Sequence, residues 1–119
     1  MNNEKIYERI KKIGERLKKE YHAEKVIVFG SYATGEYTTH SDLDMLVIAP
    51  TKEGFLQRIS SVKSVIRDLK NGIPISPIVL TPEEIKRRRE IGDQFIVDIL
   101  EKGLPLWPHG KTPYIHQSG

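Results

Sequence analysis

The chain has 119 residues, with 19 Lys and Arg against 16 Asp and Glu, a net charge of +3 and no cysteine. That length gives one small domain with a core large enough to fold alone, and the lack of cysteine excludes a disulfide framework, a thiolate metal centre and a cysteine nucleophile. The basic excess favours phosphates only mildly, and the polar opening Met1-Asn2-Asn3-Glu4-Lys5 shows neither a signal sequence nor a membrane-spanning run, so a cytoplasmic location is expected.

Taken in order, Ile6, Ile10, Ile13 and Leu17 recur at 4-3-4 spacing among Glu and Lys, which predicts an amphipathic helix over about 3–21. The run from Lys25 to Phe29 is short and β-branched and stops at Gly30-Ser31, so it reads as a buried strand ending in a tight turn. Tyr32, Ala33 and Thr34 give a single helical turn, and Gly35 to His40 a polar loop. A second strand runs through Leu43-Asp44-Met45-Leu46-Val47-Ile48 and stops at Ala49-Pro50. Residues 51–70 read as a helix burying Phe55, Ile59, Val62, Ile66 and Leu69, stopped by Asn71-Gly72. A third strand is expected over 73–80; Pro74 and Pro77 cannot donate to a ladder, so it is either an edge strand or a bulged one. Thr81-Pro82-Glu83-Glu84 starts a helix, with Thr81 as cap, and that helix carries the basic run Lys86-Arg87-Arg88-Arg89 as a solvated face rather than a nucleic-acid surface. A last helix over about 90–102 buries Ile91, Phe95, Ile96, Ile99 and Leu100, Gly103 closes it, and Leu104 to Trp107 adds a short strand. The domain is thus expected over 1–108, with 109–119 as a tail lacking periodicity.

The chemistry concentrates where the first two strands meet. Asp42 and Asp44 stand two residues apart, so on a strand both side chains leave the same face, roughly 6.6 Å apart along the chain. Such a pair suits metal ions held about 3.5 to 4 Å apart, and Mg²⁺, a hard cation that shares its ligands with substrate phosphates, is the natural occupant. Leu43, Met45 and Val47 then point into the core. Gly30 lets a ligand approach the backbone closely, and Ser31 adds a hydroxyl and an amide suited to an anion. The spacing from Gly30 to Gly35 resembles a Walker A loop, but Glu36 stands where that loop needs lysine, and no G-x-G-x-x-G is present.

Gly30-Ser31-Tyr32-Ala33-Thr34-Gly35 followed by Ser41-Asp42-Leu43-Asp44 resembles the G-S-x-A-x-G…S-D-x-D signature of the DNA polymerase beta-like nucleotidyltransferases, closest to their minimal branch. The resemblance spans about 25–84. It implies an α/β fold, a nucleotidyltransferase palm with a small mixed β-sheet and helices mainly on one face; a flavodoxin-like parallel sheet is the alternative. It also implies ATP or another nucleoside triphosphate held at Gly30 and Ser31, Mg²⁺ on Asp42 and Asp44 as both catalytic and metal-binding residues, and transfer of a nucleotidyl group, AMP in the first instance, to an acceptor hydroxyl. In the minimal branch the acceptor lies on a partner protein, typically a helical HEPN-type toxin in a toxin–antitoxin pair. Self-association is left open. One position departs from the pattern. Family members carry a third carboxylate on the next strand, and counting back from Val79-Leu80-Thr81-Pro82 places Ser76 there. A neutral hydroxyl is a weak Mg²⁺ ligand and a poor base, so the alternative function is a catalytically weak or inactive nucleotide-binding module that acts by binding its partner. Glu83 and Glu84 lie past the strand end, at a helix start.

Overall fold

The computed structural model describes residues 3–108, so the expectation for the tail at 109–119 falls outside the described residues. The elements are α1 (Asn3–Tyr21), β1 (Lys25–Phe29), α2 (Ser31–Thr34), β2 (Leu43–Ile48), α3 (Phe55–Val65), β3 (Ile75–Leu80), α4 (Pro82–Glu90), α5 (Gln94–Lys102) and β4 (Leu104–Trp107). They build one mixed sheet in the order β3-β2-β1-β4. β1 runs antiparallel to β2, with Phe29 opposite Asp44 and Val26 opposite Val47. β3 lies parallel to β2 at one edge, which accommodates Pro77 and places Ser76 opposite Asp44. β4 closes the other edge, antiparallel to β1. The antiparallel pairings rule out the flavodoxin-like alternative.

Strand alternation sorts the core onto two faces. Val26, Val28, Leu43, Met45 and Val47 pack with Ile10, Ile13 and Leu17 of α1 and Val62 of α3, so the two longest helices share one face. Burying a side chain such as Leu17, which has no exposed surface, stabilises the fold by about 2 kcal/mol. Gly14 brings α1 directly onto β4, since a Cβ there would lie 2.7 Å from the Leu106 Cβ. On the opposite face Ile27, Leu46, Ile48 and Leu80 pack with Ile85 of α4 and Ile96 and Ile99 of α5. These short helices leave Asp44 half-buried and Ser76 exposed at the far end of that face. Among the described residues no helix is long and apolar enough to cross a membrane.

A buried cation ties α3 to β3 and α4. Arg58 donates from Nε to the Glu53 carbonyl at 2.9 Å, and from Nη1 to the Val79 carbonyl at 3.2 Å and Glu84 Oε1 at 2.7 Å. Glu84 also completes the capping box with Thr81 that starts α4. The Arg58 guanidinium holds the Glu84 carboxyl below its ordinary range.

Two helix expectations and one strand boundary need correction. The helix expected over 51–70 is regular only over Phe55–Val65. Thr51 Oγ1 accepts from the Glu53 amide, holding residues before Gly54 in a turn, and after Val65 the bonds shorten to Arg67 N–H on the Ser64 carbonyl and Leu69 N–H on the Ile66 carbonyl. Phe55 is consequently not buried but 58% exposed. The last helix begins at Gln94 rather than near Glu90, because Gly92 takes φ +73° and the Asp93 side chain accepts from the Ile96 amide as a new cap. Ile91 and Phe95, expected inside, are 72% and 53% exposed. β3 begins two residues later than expected, at Ile75. The basic run lies on α4 with all four side chains exposed, and Arg88 pairs with Asp93 at 2.9 Å.

Candidate active site at the Gly30 turn

The β1 strand ends into Gly30 with φ +73° and ψ −152°, a region open essentially to glycine alone. Its carbonyl accepts from the Ala33 and Thr34 amides at 3.0 and 3.3 Å, which coils Ser31–Thr34 into the single turn of α2. Gly35, also left-handed at φ +86°, ends the turn. Tyr32 is buried and stacks on Tyr37, ring centroids 4.5 Å apart and planes 5° from parallel, so the loop that follows is fastened to α2. Further along, the Thr38 amide donates to Ser41 Oγ at 2.8 Å and the Ser41 amide to the Thr38 carbonyl at 3.1 Å. This closed turn delivers Asp42 to the start of β2, and the Leu43 amide is then caught by the Pro74 carbonyl at 2.8 Å. His40 sits within the turn, exposed, its amide bonded to Thr38 Oγ1.

The structure brings the Gly-Ser turn and the aspartates together. Phe29 faces Asp44 across the ladder, so the next residue, Gly30, comes against the carboxylate: a Cβ on Gly30 would stand 2.7 Å from Asp44 Oδ2. A glycine there is required twice over, by backbone angle and by the room the carboxylate takes. Ser31, half-buried, follows immediately. Asp42 is exposed and lies one residue ahead of the strand. Burial and the nearby Asp42 charge together push the Asp44 carboxyl above its ordinary range. Asp42 and Asp44 are neighbouring carboxylates at a partly covered rim, an oxygen donor set of the kind a hard divalent cation takes, so the residues present fit Mg²⁺.

Ser76 is the β3 residue opposite Asp44 in the parallel ladder, and successive register pairs put both on the same face. The strand position beside the aspartates therefore carries a hydroxyl. Glu84 is engaged with Arg58 and Thr81 and Glu83 is exposed on α4, and among the described residues no three His, Cys, Asp or Glu side chains converge as a metal-holding group.

Beside the turn, on the side away from Ser76, lies a cavity of about 240 Å³ bounded by Phe29, Gly30, Thr34, Phe95, Asp98 and Lys102. Sequence reasoning missed it. Phe95 looked like one more residue of a buried helical stripe; the Gly92-Asp93 break, readable as a helix stop and a new cap, was the signal that its rotation would change.

Comparison with known proteins places the chain in a family and agrees with the fold. Residues 10–106 match the nucleotidyltransferase domain family. A Methanocaldococcus jannaschii protein named "Putative protein adenylyltransferase MJ0604" is 34% identical over 109 residues, covering 90% of this chain and 100% of that protein. A second protein from the same organism, "Putative protein adenylyltransferase MJ1305", is 42% identical over 66 residues, 50% of this chain and 43% of its own length. The crystal structure of a "putative nucleotidyltransferase" from Sulfolobus solfataricus superposes with a TM-score of 0.53 at 27% identity, covering 71% of this chain and 75% of the other. Sequence match, fold and the contact between the Gly30 turn and Asp44 converge, and the chain belongs to the nucleotidyltransferase domain family.

Proposed function

We propose that the protein binds Mg²⁺ and ATP at the Gly30 turn and transfers AMP to a hydroxyl of a partner protein. The observation that supports this reading is the abutment of Gly30 on Asp44, where a Cβ on Gly30 would stand 2.7 Å from Asp44 Oδ2. The adenylyl donor and the protein acceptor rest on the name of the full-length Methanocaldococcus relative. The partner we favour is a helical HEPN-type protein in a toxin–antitoxin arrangement, as the resemblance to the minimal branch implies.

In the transfer, the acceptor oxygen forms a bond to Pα, the bond from Pα to the bridging oxygen breaks, pyrophosphate departs with the electron pair, and the hydroxyl proton passes to water or a partner base. Gly30 leaves room for the Asp44 carboxylate beside the turn, the Ser31 hydroxyl would donate to a phosphate oxygen, and Asp42 with Asp44 would hold the cation. Mg²⁺ bound there supplies charge neutralisation at the phosphates, which is most of what such a reaction needs. Calorimetry with Mg·ATP tests the site: the double variant Asp42→Asn, Asp44→Asn should lose magnesium-dependent binding, and binding as tight as the parent's would end the assignment.

Ser76 favours a second reading, in which nucleotide binding survives but transfer is slow unless the partner brings a carboxylate. A general base contributes about 10²–10⁴-fold. Ser76→Asp should therefore raise labelled AMP transfer by at least tenfold in the absence of a partner-supplied carboxylate. An efficient parent that gains nothing from the substitution would dismiss this second reading.

A further inference from the structure

We infer that the cavity between α2 and α5 receives the base of the bound nucleotide, with the exposed Phe95 ring as its stacking wall and Asp98 selecting bases that carry an amino group. The inference rests on the proposed nucleotide site and adds to it the part that distinguishes one nucleotide from another.

Several observations lead there. The cavity and the phosphate turn share Gly30, so a ligand anchored at the turn reaches the cavity without leaving the surface. Its volume of about 240 Å³ accommodates a purine. Phe29 and Phe95 meet edge to face, centroids 5.6 Å apart and planes at 88°, an arrangement that fixes Phe95 while leaving it 53% exposed. A flat heterocycle stacked on an exposed aromatic face beside a polar turn gains about 1–3 kcal/mol. At the polar rim Asp98 is half-buried and accepts from Gln94 Nε2 at 2.7 Å on Oδ1, which orients the carboxylate on its helix. A carboxylate accepts hydrogen bonds only, so it favours the exocyclic amines of adenine, guanine or cytosine over uracil, which has none. Lys102, one helical turn on, supplies a donor for a ring nitrogen or carbonyl.

The test is calorimetry with Mg·ATP, Mg·UTP and magnesium tripolyphosphate on the parent, Phe95→Ala and Asp98→Asn. The expected pattern is that the parent binds ATP at least tenfold tighter than tripolyphosphate. Phe95→Ala should remove most of that advantage while leaving tripolyphosphate binding unchanged, and Asp98→Asn should narrow the gap between ATP and UTP. Parent binding equal for ATP and tripolyphosphate would overturn the inference, as would Phe95→Ala binding ATP like the parent. Failure of the proposed function looks different: neither ATP nor tripolyphosphate binds the parent. A second arm uses adenosine, which needs no metal. Amide shifts confined to 29–34 and 95–103 support the base site, and their absence at millimolar adenosine counts against it. Phe95 lies at the surface, so its truncation removes the edge-to-face contact with Phe29 but leaves the core intact, and the variant should stay folded with a melting midpoint lowered by no more than about 10 °C.

Discussion

Gly30→Ala perturbs the site at its narrowest point, and its two costs can be worked out separately. The first is conformational: at φ +73° and ψ −152° a Cβ-bearing residue costs about 1–3 kcal/mol. The second is steric. The new methyl would stand 2.7 Å from Asp44 Oδ2, nearly an ångström inside ordinary contact, and because β1 is paired on both sides the backbone cannot retreat. The carboxylate is the freer partner, so it rotates away and the cation site loses one arm. A melting midpoint lowered by roughly 5–15 °C follows from the first cost for a domain of this size. Loss of a positioned carboxylate should weaken Mg²⁺-dependent ATP binding by at least tenfold, readable by calorimetry at a temperature well below the lowered midpoint. Tripolyphosphate without magnesium should be weakened less. If Gly30→Ala melts like the parent and keeps its Mg·ATP affinity, neither the backbone requirement nor the contact with Asp44 holds.

Asp44→Asn should abolish magnesium-dependent binding yet raise the metal-free melting midpoint by about 2–4 °C, because a half-buried charge beside Asp42 is removed; a lowered midpoint in scanning calorimetry would contradict this. Arg58→Ala leaves the Val79 and Glu53 carbonyls and the Glu84 carboxylate short of a donor and should cost about 2 kcal/mol, seen as a urea midpoint shift at constant slope. Glu84 titrates below its ordinary value because of Arg58, so its share of stability is present above the unfolded pKa and is lost as pH falls through the folded one; Glu84→Gln should flatten the parent's stability profile below about pH 4.5, and identical profiles would refute the coupling.

How far the sequence could be read depended on what decides each element. β1, β2 and the turn between them were legible because their signals are local: β-branched runs, a glycine at an obligate angle and a serine before the aspartates. The Thr81-Pro82-Glu84 start was equally local and appears as a full capping box. Orientation about a helix axis was not. Phe55 and Phe95 fit their apolar stripes by spacing, but Gly54 and Asp93 restart each helix and turn those side chains outward. Counting back from the strand end placed Ser76 at the family's third-carboxylate position, but only the ladder register sets it opposite Asp44, and the cavity beside Phe29 forms from residues more than 60 positions apart, with the Gly92-Asp93 break as its one local sign.

The seating of Gly14 on Leu106 has a consequence for how the chain is made. The helix α1 leaves the ribosome well before β4, yet part of the floor it rests on is that strand, and β1 cannot gain its second neighbour until β4 arrives. Synthesis therefore proceeds with an apolar helix stripe and an unpaired strand edge held open until Trp107 clears the exit tunnel, and the interlock of α1 with β4 forms late. Trimming the chain before Leu104 should leave an aggregating fragment rather than a smaller domain, and translational pausing just short of that point would lengthen the exposure.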